Sequence, residues 1–135
     1  MNRDDFQALS QTRLADARTL LDAERYDAAY YLAGYSVECA LKACLCKQIR
    51  EHHFPPRNTD KYYSHQLVTL AREAGVEEVL EANSDLRRNW NIVKDWSEQT
   101  RYELGEDSAK IRAERLMAAI ADEDHGVLGC LFKHW

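Results

Sequence analysis

Near the start of the chain Phe6, Leu9, Leu14, Ala17, Leu20 and Leu21 recur at three- and four-residue steps, the period of an amphipathic helix spanning about Asp4 to Ala23. The polar break Asp22 to Asp27 ends it, and Asp27 is placed to N-cap a second helix running to about His52. A turn this short makes the two helices antiparallel neighbours. Residues 52–63 hold adjacent prolines and several turn formers and predict an irregular connection. Ser64 can cap a third helix, His65 to Ala74, with Leu67, Leu70 and Ala71 inward and Gly75 as its stop. A fourth runs from about Val76 to Trp96 on Val79, Leu80, Leu86, Ile92, Val93 and Trp96, with a jog near Asn83-Ser84. After a polar stretch, a fifth spans Ser108 to Ala121 on Ile111, Leu116, Met117 and Ile120, and Val127 to Trp135 forms a last short helix. No strand-like alternation persists and no repeat is visible. The pattern therefore predicts an all-α fold in a single domain, residues 1–135: an antiparallel bundle of four to five helices plus a short C-terminal helix.

Composition narrows this picture. A chain of 135 residues with 45% hydrophobic and 30% charged residues is that of an ordinary globular domain, which excludes disordered and fibrous classes. The net charge of -5 gives no overall field for phosphate polymers, so nucleic-acid binding requires a local basic patch. The acidic N-terminus lacks the apolar core of a secretory signal, and a cytoplasmic location is expected. The apolar run Ala28 to Cys46 raises the question of a membrane span, but Glu38 and Lys42 would be costly at a bilayer centre. A central bundle helix explains the run better, and no membrane association is expected. Cys39, Cys44, Cys46 and Cys130 form no Cys-x2-Cys pair, so buried free thiols are expected in place of a metal site.

Two faces carry candidate chemistry. On the second helix Tyr31, Tyr35, Glu38 and Lys42 line up at steps of four, three and four, a face suited to a polar ligand or partner helix. The alternative is tyrosines packed by their rings, with Glu38 and Lys42 paired at the surface. On the fourth helix Arg88, Asn91 and Asp95 share one face and Arg87, Asn91 and Lys94 an adjacent one. Their guanidinium, amide and ammonium donors suit phosphate oxygens, Trp90 and Trp96 add stacking surfaces, and Arg101-Tyr102 extends the same chemistry. The alternative is a solvated face whose arginines pair with Asp85, Asp95 and Glu98. Glycine-rich phosphate loops, nucleophile elbows and His-Glu-x-x-His zinc motifs are absent, and no cofactor is implied.

The stretch Arg13 to Cys46, centred on Asp27-Ala-Ala-Tyr-Tyr-Leu-Ala-Gly-Tyr-Ser-Val-Glu-Cys-Ala-Leu-Lys42, resembles the HEPN domain, the helical nucleotide-binding module of prokaryotes and higher eukaryotes. Ser64-His65-Gln66-Leu67-x-x-Leu70 is similar to the family's His-x-Leu start of the third helix, and Trp96 to Tyr102 to its Arg-Tyr motif. The tail from His125-Gly126-Val127-Leu128 to Trp135 resembles the ending of stand-alone members.

The resemblance implies a helical bundle that dimerises. Many members are metal-independent ribonucleases in which an Arg, usually a polar residue next, and a His a few positions on act on the RNA phosphodiester. Arg88-Asn89 matches the opening of that motif, but Val93, Lys94 and Asp95 stand where the His would fall. A lysine with its ordinary pKa near 10.4 is a poor base at neutral pH, so Lys94 is better suited to steadying a phosphate. Other members are non-catalytic partners of minimal nucleotidyltransferases in toxin-antitoxin pairs, or accessory modules that bind nucleotides or RNA. The expectation is therefore a non-catalytic, homodimeric module of toxin-antitoxin or defence type, binding a nucleotide, an RNA phosphate or a nucleotidyltransferase partner. Arg87, Arg88, Asn89, Asn91, Lys94, Arg101, Tyr102, Tyr35, Glu38 and Lys42 are its candidate ligand-binding residues. The alternatives are a divergent ribonuclease using Arg88, with Lys94 or a loop histidine in place of the missing base, and a purely structural dimerisation module.

Overall fold

Helix α1, Arg3–Asp22, starts on a reciprocal cap: the Asn2 side chain accepts from the Asp5 amide while the Asp5 carboxylate accepts from the Asn2 amide, both at 2.9 Å. These observations come from a computed structural model, which describes residues 1–52, 64–97 and 106–135. Six further helices follow: α2 Tyr26–His52, α3 Leu67–Glu73, α4 Glu77–Ala82, α5 Ser84–Val93, α6 Glu106–Ala121 and α7 Val127–Phe132. There is no strand among the described residues, and no described helix is long and apolar enough to cross a membrane.

The bundle is organised around α2, which packs against α1, α3, α6 and α7. Its middle is buried almost without interruption from Ser36 to Leu45, with only Lys42 reaching the surface in part. Ala29, Ala33, Gly34, Ala40 and Ala43 keep its circumference small, so helices close in from several sides. Leu41, Leu67, Leu70, Leu80, Trp90, Leu116, Ile120 and Leu131 are all but inaccessible and form the shared core. Each such side chain contributes about 1.5–3 kcal/mol by leaving water. One buried polar tie crosses from α1: the Ser10 hydroxyl donates to the Ser36 carbonyl at 2.7 Å.

Several predicted boundaries shift for local reasons. Asp27 sits inside the first turn of α2 rather than capping it. The α1–α2 turn closes by hydrogen bonds from the Arg25 and Glu24 amides to the Leu20 and Leu21 carbonyls, with Glu24 left-handed at φ 61°. Ser64 does not cap α3: its hydroxyl accepts from the Gln66 amide at 3.0 Å, and the helix begins only at Leu67. Gly75, at φ 72°, ends α3 as expected. The predicted helix from Val76 to Trp96 is two helices. Asn83 is extended, and its side chain accepts from the Asp85 and Leu86 amides at 2.9 and 3.1 Å, starting a new helix where the old one would have continued. Ile111, expected in the core, is 64% exposed because Ala113, Leu116, Met117 and Ile120 make the buried stripe and Ile111 falls on the other side of α6.

Candidate phosphate-binding groove between α5 and α6

Leu86, Trp90 and Val93 repeat at helical spacing and turn one face of α5 into the core. The opposite, polar face is thereby aimed outward and toward α6, its packing neighbour. Trp90 and Trp96, expected as stacking surfaces, are instead 1% and 4% exposed and belong to the core. An aromatic ring is nevertheless supplied from elsewhere, by Tyr30 of α2.

Arg88, Asn91 and Asp95 of the outer face line a groove of about 400 Å³ together with Tyr30 and with Arg112 and Arg115 of α6. The Arg112 guanidinium lies over the Tyr30 ring, 4.6 Å from its centroid, and Ile92 and Leu116 form the apolar floor. Three guanidinium groups thus face one carboxylate. A second groove of about 360 Å³ shares Arg88, Ile92 and Arg115 with the first and continues to Asp85, Asn89, Asp122 and His125.

At that end the Asp85 carboxylate stands between two cationic or potentially cationic groups, with Arg88 Nη1 at 3.7 Å from one oxygen and His125 Nε2 at 4.0 Å from the other. Asp122 is 3.9 Å from His125 Nδ1. Arg88 and Asp85 are 75% and 52% exposed, so their pairing is worth under about 1 kcal/mol and yields readily to a better anion. Asn89 donates from Nδ2 to the His125 carbonyl at 2.9 Å, which fastens α5 to the turn between α6 and α7. Arg87 and Lys94 line neither groove. Arg101 and Tyr102 lie outside the described residues.

The α2 candidates form a separate cluster. Tyr31 and Tyr35 stack with ring centroids 6.3 Å apart, and Trp96 closes on Tyr31 at 6.0 Å. Burial, then Cys39 and Glu38, pushes the Tyr35 phenol above its ordinary range. Glu38 does not pair at the surface: it is 2% exposed, with one oxygen 2.9 Å from His65 Nδ1 and the other 3.4 Å from Lys42 Nζ. Burial, with the Glu38 charge second, pushes the Cys39 thiol up to about 11, and burial, then Cys130, pushes Cys44 up to about 12. Both therefore remain protonated and unreactive at neutral pH. All four cysteines are free, and among the described residues no group of three or more His, Cys, Asp or Glu side chains is placed to hold a metal ion.

Sequence reading missed Tyr30, Arg112 and Arg115. The spacing of Arg112 and Arg115 puts them on one face of α6, but only the packing of α6 beside α5 brings them to Arg88. The contact of His65 with Glu38 was missed for the same reason. Compared with known proteins, the chain matches the family model of the HEPN domain over residues 9–121. No curated protein and no solved structure matches it.

Proposed function

This chain belongs to the HEPN family, and on that premise we propose that it binds a nucleotide or RNA phosphate in the α5–α6 groove without cleaving it. The observation that carries this reading is the meeting of Arg88 with Arg112 and Arg115 over an apolar floor, beside the Tyr30 ring. Guanidinium forks match phosphate oxygens two at a time, and an aromatic face offers a surface to a base. Asn91 adds an amide at the same rim. Binding without turnover is supported by α5 itself, which carries no histidine between Ser84 and Val93.

The ribonuclease reading keeps one specific support: His125 lines the groove that Arg88 enters. The homodimer and the nucleotidyltransferase partner of a toxin-antitoxin or defence pair belong to the same proposal, supported by family membership.

The deciding experiment titrates a labelled single-stranded RNA with the full chain in the presence of chelator and then runs the RNA on a denaturing gel. Saturable binding without fragments, weakened roughly tenfold or more by Arg88→Glu, is expected, since a hydrogen bond to a charged group is worth about 1.5–3 kcal/mol. Binding indifferent to Arg88→Glu overturns the site. Fragments that disappear in both Arg88→Ala and His125→Gln replace the binding reading with the ribonuclease one.

A further inference from the structure

The main chain of His125 by itself fastens the turn between α6 and α7: its amide donates to Asp122 Oδ2 at 2.9 Å, and its carbonyl accepts from Asn89 Nδ2 at 2.9 Å. The imidazole is not needed for that tie. It stands 37% exposed in the groove that Arg88 enters, with each ring nitrogen facing a different carboxylate. Nε2 lies 4.0 Å from Asp85 Oδ2 on α5, and Nδ1 lies 3.9 Å from Asp122 Oδ2 just past α6. A neutral imidazole carries one N–H, so one of the two acids meets a lone pair, whereas an imidazolium carries two and suits both. Asp85 is also the carboxylate that opposes Arg88, whose Nη1 is 3.7 Å from Oδ1. At 3.7 and 4.0 Å neither contact has closed to a hydrogen bond, so Asp85 is committed to neither neighbour. Arg115 lines the same groove, and toward α7 the ring shares a separate cavity with Glu123, Asp124, Lys133 and His134, which bring acids and bases in equal number.

We propose that His125 sets, by way of Asp85, how strongly the groove holds an RNA phosphate; the inference rests on the reading that such a phosphate binds beside Arg88. With the ring neutral, Asp85 stays with Arg88 and competes with the ligand for its guanidinium. When the ring takes up a proton, Nε2 and Nδ1 both donate, Asp85 is drawn to the imidazolium, and Arg88 is left to the phosphate. Affinity therefore rises as pH falls, and by reciprocity bound RNA favours the protonated ring. His125 is a positioning residue in this arrangement, since it acts on the ligand through the counter-ion of Arg88. A ring that merely added its charge to the groove would also strengthen binding at low pH, but it would do so whether or not Asp85 were an acid.

The test titrates a labelled oligouridylate with the full chain, by fluorescence anisotropy at fixed ionic strength and with chelator present, at several values between about pH 5.5 and pH 8, where imidazoles change charge and the RNA does not. The parent protein should bind about fivefold more tightly at the acid end, the upper range of what an exposed ion pair contributes. His125→Gln should stay at the weaker level throughout, and Asp85→Asn at the tighter level throughout, so the two variants bracket the parent from opposite sides. A parent affinity that is flat with pH, a rise that survives in His125→Gln, or a rise that is undiminished in Asp85→Asn overturns the inference. In each of those cases saturable binding leaves the proposed function standing. Absence of saturable binding by all three proteins across the range overturns both. Both substitutions fall on partly exposed side chains and leave the main-chain bonds of residue 125 in place.

Discussion

Gly34 of α2 lies directly under the indole of Trp96, so close that a β-carbon on Gly34 would fall inside the ring's van der Waals envelope. The contact fixes on α2 the short segment that follows α5, the helix whose polar face carries Arg88. Trp96 is 4% exposed and cannot swing into solvent without uncovering the core. Gly34→Ala should therefore lower stability by about 1–3 kcal/mol, the usual cost of overpacking, despite the better helix propensity of alanine. Urea unfolding followed by tryptophan fluorescence measures it, and an unchanged midpoint would show that the indole moves aside.

A second backbone position predicts the opposite sign. Glu24 holds a left-handed conformation, φ 61°, in the turn between α1 and α2, where glycine pays no steric penalty. Glu24→Gly should stabilise the protein by about 1 kcal/mol. For a chain of this size that raises the melting temperature by about 3 °C, and calorimetry of the two proteins checks it.

Much of this architecture is legible in the sequence because helix periodicity is a local property. The α3 stop at Gly75 and the start of α5 near Asn83 can be read from single residues whose chemistry acts on their own backbone. What escapes such reading is tertiary. Periodicity says that Arg88, Asn91 and Asp95 share a face, but not that Arg112 and Arg115 will stand opposite. It says that Trp90 and Trp96 lie on the same helix as the arginines, but not that both turn inward while Tyr30 supplies the ring. Glu38 shows the limit most clearly: an i to i+4 acid and base look like a surface pair until the burial of α2 and the arrival of His65 are known.

The grooves separate the basic residues of the two helices into those that line the proposed phosphate site and those that do not. Arg115→Ala should weaken RNA binding roughly tenfold and lower the slope of log affinity against log salt by about one unit. Arg87→Ala, a change of equal charge at a residue that lines neither groove, should leave affinity within about twofold. Fluorescence anisotropy at two salt concentrations distinguishes them, and equal losses for both variants would mean that net charge alone governs binding.

The buried thiols set a pH limit on the fold. Cys39 and Cys44 are pushed up to about 11 and about 12 from an ordinary value of 9.0, chiefly by burial. Between these values the folded state holds protons that the unfolded state releases, so unfolding is favoured as pH rises. Their contribution is complete below about pH 9 and is lost as pH climbs through the folded-state values, at up to about 1.4 kcal/mol per pH unit for each thiol. Cys44→Ala removes one of the two. Its stability should start lower at pH 7.5, because a buried side chain has been trimmed, but should fall less steeply between pH 9 and pH 11 than that of the parent protein. Urea midpoints across that range give the two slopes, and parallel lines would show that the Cys44 thiol does not titrate differently in the folded and unfolded chains.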